Sequence, residues 1–197
     1  MLFRSIFGFG YCCNQYFLTI ISKEGCGMGI HIVQGDITRA LSDAIVNAAN
    51  PTMLGGGGVD GAIHRAAGPE LLAACKQVPL TERGRCPFGE ARITAAGKLN
   101  ARYVIHTAGP IYSQSEAPAL VLASSYRNSM RLALENGCKS IAFPAISCGV
   151  YGYPLNEAAE IAVSVCLEDE FKSLEKTFYL FGEDIVQVWR QVLSQHR

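Results

Sequence analysis

From Gly29 onward the sequence predicts an α/β sandwich built on a largely parallel central sheet. Short apolar runs of strand length alternate with stretches of helical periodicity, and glycine or proline punctuates the junctions. At 197 residues and 49% hydrophobic, the chain can bury one sizeable core and is short for two. One domain follows.

Residues 30–34 read as the first strand, stopped by Gly35-Asp36, with Thr38 and Ser42 supplying turn or cap chemistry before a second strand over 44–48. The Asn50-Pro51 pair breaks that run. Glycines 55–58 then lead through Val59 into a helix that opens near Asp60 and stops at Gly68-Pro69, and residues 69–77 form a short helix with Pro at its start. Residues 91–95 and 103–107 are strands separated by the polar turn 97–100. A longer helix over about 117–136 follows from Leu120, Ala123, Arg127, Met130 and Leu134, spaced by threes and fours, with Gly137 as its stop. Residues 140–144 are a strand. Residues 156 to about 170 are helical, with Ala158, Ile161, Ala162 and Val165 on one face; 177–181 is the last strand; and Ile185, Val188, Trp189 and Val192 mark the apolar face of a closing helix.

Composition excludes several classes. Lys plus Arg and Asp plus Glu both total 17, so net charge is zero, and neither a basic stripe nor interleaved aromatics mark a general nucleic-acid or membrane-surface binder. Of the eight cysteines, at 12, 13, 26, 75, 86, 138, 148 and 166, none stands in a Cys-x-x-Cys pair or at zinc-ligand spacing with a histidine. They read as free thiols, several buried, in a reducing cytoplasm. Residues 1–27 do not resemble the rest: aromatic, carrying no charge but Arg4 before Lys23, interrupted by Asn14 and Gln15, without an evident cleavage site and too broken for a membrane span. The expectation is a dispensable extension or an upstream-start artefact, with Met28 the true start and 28–197 the domain.

Chemistry concentrates in loops that leave strands. Four consecutive glycines expose bare backbone amides that a Cβ would shield, and strand, glycine loop and helix N-terminus together make an anion-binding arrangement. A second loop, 144–154, leaves a buried strand and enters a helix after Pro154; Ser147, Gly149 and Gly152 permit a tight turn with inward amides suited to a diphosphate, and Tyr151 offers a flat face to a sugar or base. In a parallel sheet ligands gather at the carboxyl ends of strands, which puts 35–36, 50–60, 108–110 and 145–154 on one rim. Gly56-x-Gly58-x-x-Gly61 also satisfies the dinucleotide glycine pattern, but it follows the second strand and no acidic residue clearly ends a strand about 20 residues on, Glu82 lying in a polar loop.

Three ordered motifs carry a resemblance. Asn50, six residues, then Gly57-Gly58-Val59-Asp60; Gly-Val-Tyr-Gly-Tyr-Pro at 149–154; and Gly-Asp-Ile-Thr at 35–38 together resemble the macrodomains, which bind ADP-ribose, and within them the MacroD-type hydrolases, closest to bacterial O-acetyl-ADP-ribose deacetylases. The resemblance covers about residues 29–195. It implies a three-layer α/β/α sandwich with a mixed, largely parallel central sheet of about six strands, acting as a monomer with no cofactor and no metal.

Residue by residue, the resemblance implies that Asp36 accepts from the adenine amino group with the Ile37 amide beside it. Ser147, Cys148, Gly149, Val150 and Tyr151 would hold the diphosphate through main-chain amides, and Gly57, Gly58 and Val59 would let the distal ribose approach. Phe181 would pack on adenine. Asn50 would donate and accept toward ribose hydroxyls, and Asp60 would orient or deprotonate a water, a task the substrate's own phosphate could share. His64, one helical turn beyond Asp60, would tune it from behind. The implied substrates are O-acetyl-ADP-ribose and proteins mono-ADP-ribosylated on Asp or Glu. A non-catalytic reader of ADP-ribosylated proteins would use the same pocket. Without the family match, Asp60 would read as a helix cap and Asn50 as a turn residue, while Cys148 lacks a nearby histidine in sequence to serve it as base.

Overall fold

The computed structural model describes residues 29–196; the N-terminal extension expected over 1–27 lies outside them. Six strands form one sheet in the order β1-β6-β5-β2-β4-β3. β1 (Ile30–Gln34), β6 (Glu175–Leu180), β5 (Ser140–Phe143), β2 (Ala44–Ala48) and β4 (Tyr103–Thr107) run parallel, and only β3 (Ala91–Ala95) runs antiparallel, at an edge against β4. Successive residues of each inner strand feed opposite faces: Ala44, Val46, Ile105 and Phe143 enter one core, Ile45, Val104 and Ala142 the other. The inner strands therefore carry apolar residues on both faces.

Helices α3 (Pro118–Glu135), α4 (Leu155–Cys166) and α5 (Glu183–Gln195) cover the first face, where Tyr126, Phe143, Phe178 and Trp189 are fully buried in one aromatic cluster. The other face is covered by α1 (Gly58–Ala67) and α2 (Pro69–Gln77), which bury Ile63, Leu71 and Cys75 against Ile45 and Val104. This is the three-layer α/β/α sandwich with a mixed, mostly parallel sheet.

Strands β1 to β4 and helix α2 have the expected bounds; the departures have local causes. α1 opens at Gly58, because Gly57 is its cap and Gly58 enters the helix ahead of the first side chain, Val59. α4 ends at Cys166, since the chain turns there to let Glu168 pair with Arg127 and Phe171 enter the core through a short 3-10 turn. β6 starts at Glu175, where Lys176 disguises a strand: its stem is buried and Nζ donates to the Phe171 carbonyl at 2.8 Å. On α3 the buried face is Leu122, Ser125, Tyr126, Ser129, Met130 and Ala133, whereas Leu120 is 71% exposed. The serines pass as core residues because each hydroxyl bonds back to a helix carbonyl, Ser125 to Val121 and Ser129 to Ser125.

Candidate active site

All five parallel strands point their carboxyl ends at one rim, and the loops after β2, β4 and β5 enclose a cavity of about 250 Å³ there. Its walls are Asn50, Gly56, Gly57, Gly58, Val59 and Asp60 from the β2–α1 segment, Gly109 after β4, and Ser147, Gly149, Val150 and Tyr151 after β5. The N-terminus of α1 lines it, so first-turn helix amides and a positive dipole end face the space.

Asp60 is the third residue of α1 and only 4% exposed, yet its carboxylate does not cap the helix. Oδ1 accepts from Asn47 Nδ2 at 2.6 Å. His64 Nε2 stands 3.4 Å from the same oxygen without hydrogen-bond alignment, so that contact is electrostatic. Oδ2 is buried with no partner among the described residues. Burial pushes the Asp60 carboxyl above its ordinary value, while the Asn47 hydrogen bond and the His64 charge pull the other way. A raised carboxylate with one bare oxygen is a better proton acceptor than a surface one.

Asn50 forms the turn its position before Pro51 suggests: Oδ1 accepts from the Thr52 amide at 3.0 Å and the Thr52 hydroxyl at 2.6 Å, and Nδ2 donates to the Gly55 carbonyl at 3.0 Å. Both lone pairs are taken. One Nδ2 hydrogen is left for a ligand, so Asn50 can donate into the cavity but not also accept.

The opposite wall is under strain. Ser147 has φ 65°, a left-handed conformation rare for a residue with a side chain, and its Oγ is buried without a partner among the described residues. Gly109 touches it so closely that a Cβ there would collide with Ser147 Oγ and Ile146 Cγ2. Among the described residues the amides of Gly149, Val150 and Tyr151 have no partner, whereas the Cys148 amide is engaged by the Ala145 carbonyl at 3.3 Å. Burial, then the Asp60 charge, push the Tyr151 hydroxyl up, and its ring packs edge-on against Phe88 with centroids 6.5 Å apart.

The Macro domain family matches residues 46–162, a span that contains every wall of this cavity. A macro domain-containing protein of Vibrio parahaemolyticus is 62% identical over 85% of the chain and 98% of that relative. The chain is a macrodomain. An O-acetyl-ADP-ribose deacetylase of Citrobacter rodentium is 54% identical over 84% of this macrodomain and 96% of the relative. Among solved structures, the Oceanobacillus iheyensis macrodomain with ADP superposes with a TM-score of 0.79 at 44% identity, covering 84% of this chain and 90% of that one. The Trypanosoma brucei macrodomain in complex with ADP-ribose gives 0.74 at 45% identity, covering 83% and 68%.

Nine of the residues singled out from sequence line the macrodomain cavity: Asn50, Gly57, Gly58, Val59, Asp60, Ser147, Gly149, Val150 and Tyr151. His64 stands behind it, its ring against Gly55 and its Nε2 beside Asp60. Asp36, Ile37 and Phe181 do not line it; they sit farther along the rim, side by side, because the Gly35 amide donates to the Leu180 carbonyl at 3.0 Å. Asp36 Oδ1 caps the turn over Ile37 by accepting from the Thr38 amide, which leaves Oδ2 to solvent, and Phe181, one residue past β6, is 91% exposed. The Cys148 thiol turns away to the Ile146 carbonyl at 3.5 Å.

Asn47 and His106 are site residues that the motifs did not reveal. Both lie on strands and are fully buried, and Asn47 Nδ2 is 3.2 Å from His106 Nδ1. The available signal was an amide and an imidazole inside otherwise apolar strand-length runs, where an unpaired polar group is costly and so requires a partner. Among the described residues, no group of three or more His, Cys, Asp or Glu is placed to hold a metal ion.

Proposed function

We propose that this macrodomain binds ADP-ribose across the rim and hydrolyses esters on its distal ribose, deacetylating O-acetyl-ADP-ribose and releasing mono-ADP-ribose from Asp and Glu side chains of proteins. The observation that carries this reading is the bare, buried Oδ2 of Asp60 opening on the same cavity as Asn50, in a chain 54% identical to a relative named O-acetyl-ADP-ribose deacetylase. Adenine lies beyond the cavity, where Asp36 Oδ2 accepts from the amino group beside the Ile37 amide and exposed Phe181 covers the ring face. The diphosphate sits on the free amides of Gly149, Val150 and Tyr151, in the loop that leads into α4.

The distal ribose rests on Gly57, Gly58 and Val59, where a bare backbone leaves room for it. Asn50 donates its remaining hydrogen to a ribose hydroxyl and fixes the ester's position. Asp60 Oδ2 accepts a proton from the attacking water, His64 steadies its charge, and Tyr151 closes the far side. The protein works as a monomer in the cytoplasm; among the described residues no helix is long and apolar enough to cross a membrane.

A reader without turnover has one observation in its favour, the complete use of Asn50 Oδ1 by its own turn. One experiment separates the two. The full chain is incubated with O-acetyl-ADP-ribose and, separately, with a protein mono-ADP-ribosylated on glutamate, and calorimetric ADP-ribose binding is measured for wild type, Asn50→Ala and Asp60→Ala. Turnover that collapses in both variants while binding survives supports the hydrolase. Tight binding without turnover on either ester makes the protein a reader, and neither binding nor turnover discards the reading.

A further inference from the structure

Behind Asp60 runs a line of buried polar groups that reaches nothing in solvent. Asn47 Nδ2 lies 2.6 Å from Asp60 Oδ1 and 3.2 Å from His106 Nδ1, and His106 Nε2 lies 2.9 Å from Thr94 Oγ1. Asn47, His106 and Thr94 come from β2, β4 and β3, so the line crosses half the sheet beneath α1. Two arrangements join the line end to end, and each leaves the far atom of the Asn47 amide, Oδ1 where Nδ2 faces Asp60, buried without a partner among the described residues. In the first, Asn47 gives one N–H to Asp60 and the other to His106 Nδ1, and His106 carries its proton on Nε2 and donates to Thr94. In the second, the Asn47 amide is flipped: its oxygen accepts from a protonated Asp60 and from His106 Nδ1–H, and the Thr94 hydroxyl donates to Nε2. The second strands both Asn47 N–H donors where the first strands one acceptor, so the first is favoured, and the Nε2–H tautomer of a buried histidine biases Asp60 toward the carboxylate.

We propose that His106 is a positioning residue for the hydrolysis, its Nε2–H tautomer held by Thr94 so that Asn47 presents N–H to Asp60 and keeps Asp60 ionised with Oδ2 free. The inference rests on the reading of Asp60 as the base. His106 remains neutral throughout the working range, burial bringing its pKa down to about 3, and can therefore hold a tautomer where an exposed histidine would take up a second proton. The titratable groups facing Asp60 are His64 from its own helix, Cys75 from α2, His106 from β4 and Tyr151 from the β5–α4 loop, with Arg85 beyond Cys75. Cys75 Sγ lies 3.6 Å from His106 Nε2 and is a poor substitute for the Thr94 oxygen, since burial, then the Asp60 charge, push the thiol up to about 11 and sulfur accepts weakly.

The test is Thr94→Val against Thr94→Ser in the full chain. Valine matches threonine in shape but leaves Nε2 beside the Cys75 thiol, a weak acceptor for Nε2–H and a donor to a bare Nε2, which drives the line toward the flipped arrangement; serine keeps the oxygen. Three quantities are measured: the His106 ring tautomer by ¹⁵N NMR, the Asp60 carboxyl titration by ¹³C NMR, and the pH profile of kcat/KM on O-acetyl-ADP-ribose. Expected are an Nε2–H tautomer in wild type and Thr94→Ser, an Asp60 titration in Thr94→Val higher by about one pH unit or more, a tenfold shift in its ionisation at fixed pH, and an acidic limb of the profile that moves with it while ADP-ribose binding holds. A wild-type Nδ1–H tautomer, or an Asp60 titration unmoved in Thr94→Val, overturns the inference. An Asp60 titration that moves while the rate profile stays put supports the tautomer coupling and instead removes Asp60 from the role of base.

Discussion

A Cβ placed on Gly56 would stand 2.9 Å from Asp60 Oδ2 and 3.3 Å from Asn50 Nδ2, so this glycine is the spacer between the two polar groups of the cavity. Its neighbours Gly57 and Gly58 have nothing within 4 Å of the same position. Gly56→Ala should therefore displace the carboxylate rather than the fold, because the obstacle is a side-chain end and not backbone. A misplacement of this kind costs on the order of 100-fold in turnover. Stability should fall by no more than about 1 kcal/mol. Steady-state kinetics beside a urea melt check it, and an active Gly56→Ala protein contradicts the placement of Asp60 as the reacting group.

Burying a carboxylate that is only partly compensated weakens the fold, and Asp60→Asn should relieve it. The amide keeps an oxygen for Asn47 and drops the charge, so Tm should rise by about 2–4 °C for each kcal/mol recovered, while ester hydrolysis is lost. The direction with pH follows from the raised folded-state pKa. The native state holds the Asp60 proton more tightly than the unfolded chain, so wild-type stability falls as pH climbs from the unfolded value of about 3.9 through the higher native one. The difference between variant and wild type should be absent near pH 3 and grow as pH rises until the native carboxyl has ionised, which paired thermal melts would reveal.

Much of this architecture was legible because its signals are local. Short, mostly apolar pentapeptides bounded by glycine or an Asn-Pro pair mark strands, and β1 through β4 end where those signals say. The glycine run and the 147–151 loop were readable for the same reason: backbone freedom is written in residue type. What escaped was anything decided by a distant partner. Tyr126 and Ser129 of α3 stand outside the spacing of Leu120, Ala123, Met130 and Leu134 and become core only once the sheet is set against them, and Lys176 conceals a strand because its ammonium finds the Phe171 carbonyl. Asn47 and His106 are 59 positions apart in sequence, so only the β2–β4 pairing makes one the partner of the other. Asp36 and Asn50 each form the turn that residue type suggests, Asp36 keeping Oδ2 free and Asn50 one Nδ2 hydrogen.

Cys148 lies in the loop that borders the cavity and invites a nucleophilic reading, which its surroundings oppose. Burial pushes the thiol up to about 12, and its sulfur faces the Ile146 carbonyl rather than the cavity. At neutral pH it is a thiol, and a thiol is a weak nucleophile. Cys148→Ala should retain kcat/KM within about twofold, with a stability loss of about 1 kcal/mol for the emptied volume. A near-complete loss, together with an acyl adduct on the wild-type protein by intact mass, would assign the chemistry to sulfur.

His106 should also govern the acid limb of folding. It is fully buried and held neutral, with a native pKa of about 3, whereas in the unfolded chain a histidine takes up its proton near 6.5. The unfolded state therefore binds one proton more across this window, and stability should fall as pH drops below about 6.5, at up to 1.4 kcal/mol per pH unit. Asp60 works in the opposite sense over part of the same range, its raised pKa favouring the native state as acid is added. Urea melts between about pH 4.5 and 7.5 in the Asp60→Asn background separate the two, and above that range's lower end the depressed carboxyls of Asp43, Glu168 and Glu170 stay ionised in the native state. A slope of about one proton identifies a histidine buried neutral; a flat profile means that His106 charges in the native state and that the polar line beneath Asp60 is open to water.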